Sequence, residues 1–196
     1  MLTVYEGNIG AHPVAALFSG VCKVNAAIAC ELLIERFKVR RIINAGTAGG
    51  IAADVRLFDT IIAERAAYHD VAPDILTDFH PWMQDMFFPS DAGLVTAARQ
   101  YAAHSPHPLR FGTIVSGEQF IENSAREDIR RRFAPLAADM ETAACAHVCY
   151  VNAIPFLSVR TVTDTQEEQG IEVFEQNCEK ASRIAAKTAA EILALL

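Results

Sequence analysis

Short apolar segments alternate with longer segments of helical periodicity along most of the chain. Six apolar segments are strand-like, at residues 4–5, 14–18, 41–45, 60–63, 110–115 and 156–162. Helical periodicity predicts helices over residues 23–37, 92–103, 125–133, 142–150 and 172–196. This alternation is typical of an α/β fold in which helices cover both faces of a mostly parallel sheet.

Residues 71–90 interrupt the alternation with a stretch rich in proline, aromatic and acidic residues. We expect a long irregular loop here, and loops of this length in a compact domain are usually functional or packed on a partner. Its apolar side chains are too many for a free loop of a monomer. They are Val71, Pro73, Ile75, Leu76, Phe79, Trp82, Met83, Met86, Phe87 and Phe88.

Length, charge and cysteine content limit the classes of protein to which the chain can belong. The 196 residues are 52% hydrophobic, enough for one sizeable core, so we expect a single domain over residues 1–196. A net charge of −7 disfavours nucleic acid and anionic membranes as partners. No apolar run approaches the ~20 residues of a membrane span, and no signal pattern opens the chain. The five cysteines lack metal-site spacing, so we expect reduced thiols, no metal and a cytosolic protein.

A glycine-rich turn, residues 44–50, follows the third strand-like segment. Gly46 and Gly49 permit close approach of a ligand to the backbone, and Thr47 adds a hydroxyl group. The spacing does not match the G-x-G-x-x-G fingerprint of dinucleotide-binding proteins. A plain strand-end turn remains the alternative.

Carboxylates stand where two apolar segments end, as ligand-binding residues do in α/β sheets. Asp139 and Glu141 flank Met140, and a carboxylate can accept hydrogen bonds from both vicinal hydroxyls of a ribose. The alternative is capping of the helix that follows.

Asp164 ends the other apolar segment. Burial would raise its pKa, so that it could protonate N7 of a departing purine while Thr163 holds it in place. A helix cap or a surface turn is the alternative.

Phe120 and Ile121 follow the strand-like segment 110–115. The Phe120 ring can stack on a flat base, and backbone groups beside Ile121 can contact the edge of that base. Packing of Phe120 in the core is the alternative. Together these segments favour a nucleoside as the ligand.

Six segments carry a resemblance that spans nearly the whole chain. They are SGVCKVNAA (19–27), INAGTAGG (43–50), AAYHD (66–70), IVSGEQFIENS (114–124), ADMETAACAHVC (138–149) and PFLSVRTVTD (155–164). In this order and spacing the chain resembles the nucleoside phosphorylase superfamily, and within it the 5′-methylthioadenosine/S-adenosylhomocysteine nucleosidases. The resemblance implies a three-layer sandwich with a mostly parallel mixed sheet, a small nucleoside substrate, a homodimer, and no cofactor.

The resemblance also implies a role for each matching residue. Catalysis falls to Asp164, the general acid at adenine N7, and to Arg160 beside it. The substrate-binding positions are Val21, Thr47, Gly49, Phe120, Ile121, Asp139, Met140, Glu141, Thr163 and Phe174. Among them Glu141 would accept from the ribose hydroxyls and Phe174 would close the 5′-alkylthio pocket. Residues 73–76 would reach the neighbouring subunit's site.

Three departures from the family pattern qualify this expectation. Family members open with a strand and helix carrying G-A-M-x-x-E, whose glutamate activates water, whereas residues 1–7 match the second strand of the family. We expect Glu6 not to replace that glutamate, and a family-type opening segment to raise hydrolysis at least ~10²-fold. Cys22 stands where glycine is usual, and Asp139 where glutamate is also common.

The expected reaction is hydrolysis of the N-glycosidic bond of 5′-methylthioadenosine or S-adenosylhomocysteine, releasing adenine. One alternative is a phosphorolytic purine nucleoside phosphorylase, which needs a cationic phosphate site. Only Arg41 and Arg160 are candidates for such a site near the glycine-rich turn. The other alternative is a catalytically weak paralogue that binds adenine nucleosides.

Overall fold

The computed structural model describes residues 2–121, 123–168 and 170–196. Its elements, in chain order, are β1 (Val4–Ile9), β2 (His12–Leu17), α1 (Lys23–Phe37), β3 (Ile42–Gly50), β4 (Thr60–Tyr68), α2 (Ile75–Asp78), β5 (Phe88–Pro89), α3 (Ala92–Ala102), β6 (Leu109–Ser116), α4 (Asn123–Phe133), β7 (Ala137–Asp139), α5 (Thr142–Val151), β8 (Phe156–Asp164) and α6 (Ile171–Leu193). Residue 122, within the matching segment 114–124, lies outside the described residues.

A six-stranded mixed sheet in the order β5-β4-β6-β7-β3-β8 forms the centre of the molecule. Its longest pairings, β3 with β8 and β4 with β6, are parallel, while β7 runs antiparallel to β3. β8 also pairs with β4, antiparallel, so the sheet closes on itself. All nine residues of β8 are therefore buried. The expected α/β fold with a mixed sheet is confirmed.

The hairpin formed by β1 and β2 is a separate two-stranded sheet. The strand-like segments 4–5 and 14–18 do form strands, but they are antiparallel to each other and outside the large sheet. Most residues of β1 are exposed, including Glu6, which lies opposite Ala15 in the hairpin. Glu6 is thus on an exposed strand.

Helix packing follows the predicted apolar faces. α1 has the predicted bounds, and its buried residues Ala26, Cys30 and Ile34 recur every four positions. They pack with small residues of α5, because alanine and cysteine let two helices approach closely. α6 ends three residues before the predicted bound and packs on β3 and β8. None of the helices in the described parts of the chain is long and apolar enough to cross a membrane.

Segment 71–90 is more ordered than the sequence predicts. It contains the one-turn helix α2 and the short strand β5, which pairs with β4. Met83 and Phe88 are buried in the core, whereas Phe79 and Trp82 are exposed. The expectation of a wholly irregular loop is therefore wrong, because β4 offers an edge to pair with and the core takes part of the apolar surface.

Candidate active site

Four strands bring the candidate residues together. In the β3–β8 pairing, Gly46 lies opposite Arg160, and a register shift after Ala48 places Gly49 opposite Asp164. β7 pairs with the end of β3 in the antiparallel direction and with β6 in the parallel direction. In the pairing with β6, Asp139 lies opposite Ser116. The positions of Arg160 and Asp164 along β3 are thus three residues apart, roughly 10 Å of extended chain. The site therefore has two halves, one around each of these residues.

The first half is centred on Arg160, which is 4% exposed. Its Nε lies 2.8 Å from an oxygen of Asp139, and its Nη1 lies 3.3 Å from Oε2 of Glu141. Nη2 donates to Oδ1 of Asn44. A side chain at Gly46 would collide with the guanidinium group, so glycine is required there. We call Asn44, Asp139, Glu141, Thr142 and Arg160 the Arg160 cluster.

Asp139 is held almost entirely by protein groups. Its carboxylate accepts hydrogen bonds from the hydroxyls of Ser116 and Thr142, forms an ion pair with Arg160, and accepts a hydrogen bond from the backbone N–H of Thr142. The last of these bonds caps the start of α5, so the capping alternative is correct for Asp139. Its carboxylate therefore orients Arg160 and anchors the helix.

Glu141 is less completely bound. Oε1 accepts from the backbone N–H of Cys22 at 2.9 Å, and Oε2 faces Arg160. Burial raises the pKa of Glu141, the Arg160 charge lowers it and the nearby Asp139 raises it. Glu141 does not cap α5 with its side chain. Its oxygens are thus available to a ligand that replaces one of these donors.

The second half of the site, which we call the Asp164 cluster, comprises Gly49, Arg126, Thr163 and Asp164. Asp164 is 2% exposed at the end of β8, so the alternatives of a helix cap or a surface turn are wrong. Thr163 Oγ1 donates to Oδ1 of Asp164 at 2.9 Å, and Nη2 of Arg126 lies 3.9 Å from Oδ2. Burial raises the pKa of Asp164, while the Thr163 hydrogen bond and the Arg126 charge lower it.

Gly49 explains how a ligand can reach this carboxyl group. A Cβ atom built on Gly49 would lie 3.0 Å from Oδ2 of Asp164. Any larger residue would therefore cover the carboxyl oxygen. The glycine-rich segment also continues as part of β3 to Gly50, so the alternative of a plain turn is wrong.

Two of the predicted substrate-binding residues are aromatic, and their rings lie against each other. Phe120 and Phe174 have ring centroids 6.2 Å apart in an edge-to-face arrangement. Phe120 is 45% exposed, so the alternative that it packs in the core is wrong. Ile121 packs partly against the core, and the Val21 side chain is exposed beside Cys22.

Several residues of the site escaped the sequence interpretation. Asn44, Ser116 and Thr142 bind the charged side chains, and Ser116 could have been found because it directly follows the predicted strand 110–115. Arg126 also carried a signal. It occupies the same helical face as Ile129 and Phe133, both buried, and an arginine in such an apolar stripe indicates a buried charge.

The family comparison agrees with this geometry. The sequence model of the phosphorylase superfamily matches residues 2–194. The 5′-methylthioadenosine/S-adenosylhomocysteine nucleosidase of Neisseria meningitidis, solved in complex with methylthio-immucillin-A, superposes with a TM-score of 0.89 at 32% identity, covering 100% of this chain and 87% of that one. The S-adenosylhomocysteine nucleosidase of Streptococcus pyogenes, in complex with 5-methylthiotubericidin, gives 0.90 at 29% identity, covering 100% and 84%. The fold is thus that of the phosphorylase superfamily.

Sequence relatives narrow this class. The 5′-methylthioadenosine/S-adenosylhomocysteine nucleosidase of Listeria monocytogenes serovar 1/2a is 35% identical over 199 residues, covering 96% of this chain and 84% of that protein. The protein of the same name from Baumannia cicadellinicola is 34% identical over 179 residues, covering 89% and 78%. The chain belongs to the family of 5′-methylthioadenosine/S-adenosylhomocysteine nucleosidases.

Proposed function

We propose that the protein hydrolyses the N-glycosidic bond of 5′-methylthioadenosine and S-adenosylhomocysteine, releasing adenine. The observation that carries this proposal is the buried carboxyl group of Asp164. It has few donors and lies against Gly49, three residues of β3 (roughly 10 Å) from the position of Arg160. This spacing is comparable with the length of a purine nucleoside.

In the proposed reaction, Asp164 donates a proton to N7 of the purine as the bond from the ribose carbon to N9 breaks. The departing electrons are then held by a neutral base, and the ribosyl cation is attacked by water. Burial supports this role, because it raises the pKa of the Asp164 carboxyl group above its usual range and so makes the group easier to protonate.

The Arg160 cluster would bind the sugar. Glu141 would accept hydrogen bonds from the ribose hydroxyls, with Met140 against the sugar face. Arg160 would act as a positioning residue that holds Glu141 and Asp139. Phe120 would stack on adenine, and Phe174, whose ring lies against that of Phe120, would close the pocket for the 5′-alkylthio group.

Water is favoured over phosphate as the nucleophile. A phosphate site needs uncommitted cations, but Arg160 is bound to two carboxylates and Lys23 is paired with Asp70. Arg41 precedes β3 and lies about 25 Å along that strand from Gly49. Neither candidate from the sequence therefore supports phosphorolysis.

Adenine release from 5′-methylthioadenosine, measured with and without phosphate, tests the proposal. Hydrolysis predicts equal rates in both conditions and free 5-methylthioribose as the second product. A rate that requires phosphate, with a sugar 1-phosphate as product, would instead establish phosphorolysis. Tight binding of adenine with no release from the nucleoside would support the weak, nucleoside-binding alternative.

We also propose a two-fold homodimer. Val24 and Ile28 on α1 and Tyr150 and Val151 on α5 are all exposed, and α1 packs directly on α5. Phe88 of segment 71–90 contacts the Tyr150 ring, so this apolar face continues toward the exposed Phe79 and Trp82.

Sedimentation velocity at micromolar concentration tests the assembly. We expect a dimer for the wild-type protein and a monomer for Ile28→Glu, which places a charge in the proposed interface. Leu195→Glu, at an exposed apolar residue outside this face, is the matched control and should remain a dimer. A monomeric wild-type protein would overturn the proposal.

A further inference from the structure

Arg126 is a buried charged residue that has no role in the reaction described above, although it lies beside Asp164. It lies on α4 and is 3% exposed. Its Nη1 donates to the backbone oxygen of Gly50, and its Nη2 faces Oδ2 of Asp164 at 3.9 Å. Its Nε is buried and has no hydrogen-bond partner among the described residues. Such a group is costly unless its charge is used.

We propose that Arg126 is a positioning residue for the acid: anchored on Gly50, it orients the Asp164 carboxyl group and keeps it ionised until a purine base binds. This inference rests on the proposed function, because it assumes that Asp164 transfers the proton.

The other described groups around Asp164 are neutral, so Arg126 is the group that can control its charge. β8 contributes the neutral Thr163, β3 contributes Gly49, which has no side chain, and α6 contributes the neutral Asn177, which binds the Thr163 backbone. α4 contributes the one charged group that acts on Asp164 among the described residues, and that charge lowers its pKa.

The consequence is a proton taken up with the ligand. In the empty site the guanidinium favours the carboxylate. A bound base excludes water and offers N7 as a partner for a protonated carboxyl group, which raises the pKa of Asp164 further. The proton would therefore enter as the base binds, ready for transfer to the leaving group.

A second arginine provides a matched control. Arg130 lies one turn further along α4 and also anchors on the end of β3, donating to the backbone oxygen of Ile51 at 3.0 Å. Its other partners are Gln166 and Glu127, not Asp164. Arg130→Gln removes the same kind of anchor without changing the charge beside the acid.

The test is the pH dependence of kcat/KM for adenine release. Activity requires protonated Asp164, so kcat/KM falls as pH rises through its pKa. Removing the neighbouring cation raises that pKa, so Arg126→Gln should move the alkaline limb to higher pH by about one unit. Arg126→Lys restores the charge and should return the limb close to its wild-type position, with a lower kcat because the Gly50 anchor is lost. Arg130→Gln should keep the wild-type limb.

Adenine alone serves as a second probe. Calorimetry over a range of pH, in buffers of different ionisation enthalpy, should show net proton uptake when the wild-type protein binds adenine, since Asp164 passes from ionised to protonated. Uptake should be smaller in Arg126→Gln. This measurement needs no catalysis, so it remains decisive if the wild-type protein releases no adenine and the proposed function fails.

An unmoved limb in a folded Arg126→Gln variant, or a shift of equal size in Arg130→Gln, would overturn the inference. If Arg126→Gln does not fold, the inference is tested with two other measurements: proton uptake by the wild-type protein on binding adenine, and the alkaline limb of Arg126→Lys. A wild-type protein that takes up no proton with adenine, or an Arg126→Lys limb displaced from the wild-type position, would refute the role.

Discussion

The Arg160 cluster and the Asp164 cluster each contain a buried aspartate, yet the carboxylates of these two residues are bound very differently. Asp139 accepts hydrogen bonds from two hydroxyls and a backbone N–H and forms an ion pair with a guanidinium group. Asp164 accepts one hydroxyl hydrogen bond, and its cation stands 3.9 Å away.

This difference separates two kinds of chemistry. Hydrogen bonds to a carboxylate stabilise its charged form, whereas burial with few donors stabilises its neutral form. Under the proposed function, the Arg160 cluster would accept hydrogen bonds from the sugar hydroxyls through Glu141, and the Asp164 cluster would supply the proton. The two roles would then differ because the number of donors around each carboxylate differs.

Of four substitutions in and around the two clusters, removing Arg160 should have the largest effect, and this effect is on the stability of the fold. Arg160→Met leaves Asp139 and Glu141 buried without their common cation, and breaking such a pair costs about 3–5 kcal/mol of unfolding free energy. Urea denaturation of the variant measures this loss. Arg183→Met is the control, because its ion pair with Glu179 is exposed, and it should change stability by less than about 0.5 kcal/mol. Equal losses in the two variants would show that the cluster holds no special charge balance.

Asp164→Asn should remove the proton donor of the Asp164 cluster while nucleoside binding is largely kept. Asparagine keeps the shape but cannot donate a carboxyl proton, so turnover should fall by ~10²-fold or more while nucleoside binding stays within about tenfold. Single-turnover rates and equilibrium binding of 5′-methylthioadenosine measure the two quantities. Asp59→Asn, at a buried carboxylate paired with Arg110 outside the site, should keep turnover. Unchanged turnover in Asp164→Asn would exclude Asp164 as the acid.

Glu141→Gln tests whether the negative charge of Glu141, rather than its shape, binds the ribose hydroxyls. Glutamine keeps one acceptor but removes the charge that strengthens bonds to the ribose hydroxyls, so ribonucleoside binding should weaken by ~1–3 kcal/mol. A 2′-deoxy analogue should lose less, because it forms one such bond fewer. Titration calorimetry with both ligands provides the measurement, and equal losses would remove the ribose role from Glu141.

Cys22→Gly should give the smallest effect, and a favourable one. Cys22 adopts φ 79° and ψ 164°, a backbone conformation that is essentially restricted to glycine, while its N–H supports Glu141. Relief of this strain, less the greater freedom of glycine in the unfolded chain, should stabilise the fold by about 1 kcal/mol. Thermal unfolding detects the gain. A lower melting temperature would mean that the thiol makes contacts worth more than the strain.

The sequence predicted the elements better than their arrangement. The bounds of α1 agree with the periodicity, and α3, α5 and β6 agree within one residue at each end. The hairpin β1–β2 was not predicted, although only two residues separate its strands. The closing contact of β8 with β4 was not predicted because that pairing joins residues far apart in the chain. The strand β7 is three residues long, too short for a reliable periodic pattern.

The sequence by itself determined the family, the alternation of strands and helices, and which segments carry acids, glycines and aromatic residues. Only the tertiary structure decided how those acids differ. Asp139 and Glu141 stand two positions apart and look equivalent in the sequence, but Ser116 on another strand saturates only one of them. Arg126 meets Asp164 across 38 residues of chain for the same reason. Burial and donor number depend on neighbours that folding brings together, and these quantities decide how easily each carboxyl group is protonated.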